Sequence, residues 1–166
     1  DSDPVDVQRM ELLEKVVRVE LTDTLREELG KTYSPGASST LSRYWKGYGT
    51  FAISASVDVK DVAATRAAIR KVLEKLRAKP VRADIIQRAR QPMLEGLDNA
   101  LKTNTGWMAL VDHAQSEAER IERYLKARDR LAALTGADVQ EMAQRYLAPA
   151  DAVDITVLPK DDAPVG

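Results

Sequence analysis

The 166 residues are enough for one well-packed domain and do not require two, so we expect a single domain over residues 1–166. The 25 lysines and arginines nearly balance the 26 aspartates and glutamates, which excludes the strongly basic field typical of nucleic-acid-binding proteins. The absence of cysteine excludes disulfides and thiolate metal sites, and with a single histidine a catalytic zinc would need carboxylates for its other ligands. The apolar runs are too short to span a membrane and the first residues resemble no targeting peptide, so we expect a soluble protein.

The first third of the chain predicts one long helix followed by two strands. Apolar residues recur at helical spacing from Val5 to Leu29, and Gly30 is a good residue to end this helix. Residues 32–40 are small and β-tolerant but include a proline and a glycine, which favours an edge strand or a bulged strand. Residues 50–57 alternate apolar and polar side chains with the period of a half-buried strand. We expect these two segments to form a β-hairpin or a meander.

The middle of the chain predicts helices. One helix begins at Asp61, which is suited to cap it, and ends before Pro80. A second extends over about residues 82–102, with a kink or a break expected at Pro92 because proline removes a backbone hydrogen bond. A short helix follows the turn at Thr103, and we expect Asn104 to cap it and Trp107 to pack in the core.

The last part of the chain predicts two helices and one strand. Helical periodicity covers residues 117–134 and resumes after a Thr-Gly break until Leu147. Apolar residues alternate with polar ones from Val153 to Val157, which predicts a strand, and residues 159–166 are a polar, frayed tail. This order of elements predicts an α+β fold with helices packed on one face of a small, mostly antiparallel sheet.

Two side chains at the junction between the first helix and the first strand suggest a binding site. Arg26 lies in the last turn of the helix and Tyr33 at the start of the strand, so a permanent cation and a phenol are close in sequence. The pair can bind a peptide, or it can stabilise the fold. In the structural interpretation Arg26 pairs with Asp23 or Glu27 or binds the last helical carbonyls, and Tyr33 fills the space under the hairpin.

Other candidate residues favour structural roles. His113 has no partner at metal-ligand spacing, which favours a helix-surface or core histidine over a ligand. The basic face of the helix after Asp61 is typical of a solvated helix surface. Its members are Arg66, Arg70, Lys71 and Lys75.

The junction from Leu25 to Tyr33 reads LREELGKTY, and it resembles the inactive domains of the pitrilysin/insulinase family of zinc peptidases. Those domains carry arginine and tyrosine at the corresponding helix-to-strand junction. The resemblance continues through Gly49-Thr50-Phe51-Ala52-Ile53, the helix after Asp61, the Pro80-Val81 turn and Lys102-Thr103-Asn104-Thr105-Gly106-Trp107. It implies half of a mitochondrial-processing-peptidase-like α/β roll, truncated from a longer polypeptide, because family domains begin with strands before the long helix.

The resemblance also implies a function. In the family, zinc is held on an inverted His-x-x-Glu-His helix of a more N-terminal domain, and that motif is absent here. It implies that Arg26 and Tyr33 bind the backbone of a peptide or unfolded-protein substrate, that this chain has no catalytic residue or metal of its own, and that a zinc-bearing domain of the same polypeptide or a partner subunit does the chemistry. Bacterial relatives of this type imply a periplasmic or otherwise exported parent.

Two alternatives remain open from the sequence. A non-peptidase scaffold subunit with the same fold would also lack zinc, although it would have no need of Arg26 and Tyr33. A second copy of the chain could add to an exposed sheet edge and form a homodimer. Peptide specificity and oligomeric state do not follow from the sequence.

Overall fold

The long N-terminal helix α1 is the element against which most of the others pack. In the computed structural model, which describes residues 4–30, 34–42, 45, 48–112, 114–115, 117 and 119–160, α1 contacts four other helices and one strand. The elements follow in the order α1 (Pro4–Leu29), β1 (Gly36–Leu41), β2 (Gly49–Ser54), α2 (Val62–Ala78), α3 (Ala83–Ala100), α4 (Asn104–Val111), α5 (Arg120–Ala133) and α6 (Gly136–Tyr146). Short 3₁₀ turns lie at Val59–Asp61 and Pro149–Asp151.

The hydrophobic core forms along α1 because neighbouring elements cover this helix from several directions. Its apolar side chains are buried in adjacent pairs four residues apart, the pattern of a helix with a broad apolar face, while Glu11 and Arg18 on the opposite side are exposed. The fully buried members are Leu12, Leu13, Val16, Val17, Leu21 and Leu25. α2, α3 and α6 supply most of the residues packed against them. The hydrophobic core is therefore built between the apolar face of α1 and the helices that pack on it.

β1 and β2 form an antiparallel hairpin that packs on α1, in a register that pairs Ser39 with Phe51. Two polar side chains of α1 fix its position. The carboxylate of Glu14 accepts the backbone N–H of Ser39 at 3.1 Å, and Arg18 donates to the carbonyl of Ala37 at 3.2 Å. Helices on one face of a small antiparallel sheet confirm the predicted α+β class.

The predicted last strand is wrong. Residues 152–159 have no regular secondary structure, and the three alternating apolar side chains, Val153, Ile155 and Val157, are at least 81% exposed. A strand needs a neighbour to bond its backbone, and in the described part of the chain the sheet contains only β1 and β2. The polar side chains of the segment bind α2 instead: Arg66 pairs with Asp154 at 2.9 Å and also bonds Thr156.

Two features of the short helix α4 differ from the prediction. The N-cap of α4 is Thr103 and not Asn104, because the hydroxyl of Thr103 accepts the N–H of Gly106 at 3.1 Å. Trp107 is 52% exposed, and α4 buries none of its residues, so the expected core position is wrong. Asp61 is the N-cap of α2, as predicted, but makes no side-chain capping hydrogen bond.

Two further expectations concern α3 and the end of the chain. α3 continues through Pro92 without a break. Residues 161–166 of the predicted tail lie outside the described residues. The single-domain organisation and the missing N-terminal strands stay predictions.

Candidate functional site

The C-terminal end of α1 is the candidate site. Gly30 follows the helix with φ of 63°, a left-handed conformation that other residues adopt with strain, and its N–H donates to the carbonyl of Arg26 at 3.1 Å. The predicted helix end at Gly30 is therefore confirmed. Arg26 lies in the last turn, exposed to solvent, while the preceding Leu25 is fully buried. The buried neighbour fixes the helix and leaves the guanidinium outside the core.

Tyr33, the second predicted site residue, lies outside the described residues, as do the rest of positions 31–33. The chain is described again from Ser34, and β1 begins two residues later. Nearness of Tyr33 to Arg26 therefore stays a prediction. His113 also lies outside the described residues.

Three ion pairs fix this end of α1 to its neighbours. Arg88 of α3 donates to both carboxylate oxygens of Asp23, at 2.6 and 3.1 Å. Lys75 of α2 binds the buried carboxylate of Glu20 at 2.6 Å. The third pair joins Lys71 of α2 to Glu28. Because each pair crosses between helices, the last two turns of α1 are held from both sides.

The pKa values of two of these groups follow their partners. The hydrogen bonds from Arg88 lower the pKa of the Asp23 carboxyl below its ordinary value. The hydrogen bond to Glu28 raises the pKa of the Lys71 ammonium. Both shifts favour the charged forms of Asp23 and Lys71.

Arg26 is left out of these pairs. Within the described part of the chain its guanidinium makes no hydrogen bond or ion pair, although it is near enough to Asp23 to lower the pKa of that carboxyl. The structural interpretation expected Arg26 to pair with Asp23 or Glu27, and neither pair forms. An exposed guanidinium with its donors unused can bind a carbonyl or a carboxylate of another molecule.

A polar groove of about 320 Å³ lies beside the same end of α1. Its walls are the last turns of α1, the end of α2, the connection to α3 and the first turn of α3. Leu76, Val81 and Ile85 form an apolar floor, and Glu27 and Lys79 contribute opposite charges to its sides. Arg26 does not line this groove.

The basic face of α2 is used within the fold, which the sequence analysis did not anticipate. Besides Lys71 and Lys75, Arg66 and Arg70 both bind Asp154, at 2.9 and 3.4 Å. The sequence did not predict that Arg88 pairs with Asp23. Arg88 lies 65 residues from Asp23 in sequence, and a local sequence pattern cannot predict an ion pair between residues so far apart.

Neither a metal site nor a membrane segment is found in the described residues. No group of three or more histidine, cysteine, aspartate or glutamate side chains there could hold a metal ion. No described helix is both long enough and apolar enough to cross a bilayer.

Comparison with known proteins gives one match. A family profile described as the peptidase M16 inactive domain matches residues 2–93, which is more than half of the chain and runs from α1 into α3. No curated protein and no solved structure matches. The chain therefore belongs to the family of peptidase M16 inactive domains, the C-terminal domains of the pitrilysin/insulinase metallopeptidases.

Proposed function

We propose that this chain is a non-catalytic substrate-binding domain of a zinc-dependent metalloendopeptidase, and that it encloses and orients peptide substrates with Arg26 and Tyr33. The observation that carries the proposal is the exposed guanidinium of Arg26, which no described residue binds, at the helix-to-strand junction of a family of inactive peptidase domains. A residue needed only for the fold would have been expected to pair with Asp23 or Glu27 or to bind the last helical carbonyls.

The chemistry suits a peptide substrate. When water attacks the scissile carbonyl, negative charge develops on its oxygen, and a phenol or guanidinium directed at that oxygen stabilises it. Neither group activates the water, so each is useful only beside a metal-bound water in another domain. We propose that zinc is held by a catalytic domain of the same polypeptide or of a partner subunit, and that the parent enzyme is periplasmic or otherwise exported.

The experiment is a kinetic comparison in the complete peptidase. Arg26→Ala and Tyr33→Phe are each expected to lower kcat/KM by about 100-fold, the order measured when one oxyanion donor is removed. The folded state of Arg26→Ala should persist, because Arg26 is exposed and its side chain makes no hydrogen bond or ion pair with a described residue. Circular dichroism and thermal unfolding check this.

The matched control is Arg128→Ala, which removes an arginine on α5 that pairs with Asp98. Its kcat/KM is expected to stay within a factor of two of the native value. Unchanged kinetics in both site variants would favour the scaffold alternative and contradict the proposal.

A further inference from the structure

The carboxylate best spaced along the helix to pair with Arg26 is already bound by another arginine. Asp23 precedes Arg26 by three residues, the spacing at which an aspartate and an arginine on one helix form an ion pair. Both oxygens of Asp23 are instead occupied by Arg88, whose two terminal nitrogens bind at 2.6 and 3.1 Å. The Asp23 side chain therefore faces α3 rather than the next turn of its own helix.

We propose that Arg88 is a positioning residue, which keeps Arg26 available for a peptide by holding the carboxylate that would otherwise pair with it. The inference rests on the proposed substrate-binding role of Arg26. Arg88 itself contacts no substrate in this proposal and acts through Asp23.

The geometry explains why Arg88 prevails over Arg26 for this carboxylate. A guanidinium that presents two parallel N–H groups to two oxygens makes a stronger pair than one that binds a single oxygen, and it needs a fixed approach. That approach is given by the contact between α1 and α3, in which Leu21 packs in the same core as Ile85 and Ile86. Arg26 could pair with Asp23 along one helix, but exposed pairs at that spacing are weak.

The other carboxylates at this end of α1 also form no ion pair with Arg26. Between Glu20 and Glu28 the helix has four carboxylates, and cations of α2 or α3 bind three of them. The fourth, Glu27, is adjacent to Arg26 in sequence, and adjacent side chains on a helix point in different directions. Arg88 thus binds Asp23, the carboxylate best placed to compete with a peptide for the Arg26 guanidinium.

The test measures how accessible the Arg26 guanidinium is in the purified chain, by its rate of modification with phenylglyoxal followed by mass spectrometry. In Arg88→Met, Asp23 is released and pairs with Arg26. The modification rate of Arg26 is then expected to fall about two- to fivefold, because an exposed ion pair is weak and protects the guanidinium only part of the time. In Asp23→Asn/Arg88→Met residue 23 has no charge and cannot form an ion pair with Arg26. The modification rate of Arg26 should therefore return to the native value.

Two controls use a second pair of the same kind. Arg128 on α5 binds Asp98 on α3 at 2.8 Å, and both side chains are about half exposed. Asp98→Asn should accelerate modification of Arg128, which confirms that the assay detects pairing. Arg128→Met should leave the Arg26 rate unchanged, which shows that loss of a distant arginine has no effect there.

Rescue separates positioning from a contribution to folding. In the complete peptidase, Arg88→Met should lower kcat/KM, and adding Asp23→Asn should restore it. If the pair only stabilised the fold, kcat/KM per folded molecule would not change in either variant, with the folded fraction measured by circular dichroism. An Arg26 rate that does not change in Arg88→Met, or that falls as far in the double variant, would overturn the inference.

The result is independent of the proposed function. The modification assay reports whether Arg88 controls Arg26, whatever Arg26 binds. If Arg26→Ala leaves kcat/KM unchanged, the substrate-binding role fails, and the modification rates still decide the role of Arg88.

Discussion

Gly30 decides how the chain leaves α1. Its φ of 63° strains any residue with a side chain, and an added Cβ would meet no atom within 4 Å, so the cost of substitution is backbone strain alone. Gly30→Ala is expected to lower the free energy of unfolding by about 1 kcal/mol, measured by urea titration.

Gly96→Ala is the matched control, because Gly96 lies inside α3 and an added Cβ there also meets nothing within 4 Å. It should raise the free energy of unfolding by about 0.5–1 kcal/mol, since alanine is the better helix former. Equal stabilisation by both substitutions would show that Gly30 is not left-handed in solution.

The Asp23–Arg88 pair predicts a pH dependence with a definite sign. The pKa of Asp23 is lowered in the folded state by the hydrogen bonds from Arg88, and Arg26 and Lys75 add to the effect from α1 and α2. A lowered carboxyl pKa stabilises the fold above the unfolded-state value of about 3.9, and the stabilisation is lost as pH falls through the folded value. Arg88→Met should therefore cost more unfolding free energy at pH 7 than at about pH 3.

The control for this experiment is Arg90→Met. Arg90 is on the same helix but donates to the carbonyls of Ala132 and Leu134, at 2.6 and 3.0 Å, and these acceptors do not titrate. Its cost in unfolding free energy should be the same at both pH values. A cost for Arg88→Met that does not fall between pH 7 and pH 3 would argue against the pair in solution.

At the scale of elements, the start of α6 is joined to the connection between α2 and α3 by a close backbone approach. The N–H of Val81 donates to the carbonyl of Gly136 at 3.2 Å, and a Cβ on Gly136 would lie 2.0 Å from the carbonyl oxygen of Val81. Gly136→Ala must separate the two segments, so it should cost about 1–3 kcal/mol of unfolding free energy. A gain in stability like that expected for Gly96→Ala would contradict this contact.

Elements whose signal lies in their own residues were predictable from the sequence. α1, α2, α5 and β2 follow from apolar spacing, and Gly30 follows from the conformational freedom of glycine. Each of these depends on neighbours within a few positions. The observed boundaries of these elements differ from the predicted ones by a few residues: α5, for example, begins at Arg120 rather than near residue 117.

Features that depend on distant residues were not predictable. The pattern from Val153 to Val157 was that of a strand, but a strand also needs a partner, and α2 holds the segment by its polar side chains. The exposure of Trp107 depends on what packs against α4, which its own sequence does not reveal. The pair of Arg88 with Asp23 likewise joins helices far apart in sequence.

For the whole molecule, the family match supports the choice of Arg26 and Tyr33 as site residues, and the ion pairs around Arg26 support its availability to a substrate. The match covers α1 to the middle of α3 and includes both Arg26 and Tyr33. The availability of Arg26 comes from pairs formed by its neighbours, which the motif alone could not predict. Addition of a second copy at a sheet edge stays a prediction, and light scattering would test it.

The last prediction concerns zinc. A zinc site in a protein takes three or four side-chain ligands. The chain has one histidine and no cysteine, and its described residues contain no group that could hold a metal. We expect the purified chain of 166 residues neither to cleave an unfolded protein nor to gain stability when zinc is added. A site with Kd of about 1 μM would add about 2.7 kcal/mol to the free energy of unfolding at about 100 μM zinc, which urea titration detects easily. Proteolysis that zinc supports and a chelator abolishes would place catalytic ligands in this chain and overturn its assignment as the non-catalytic half of the site.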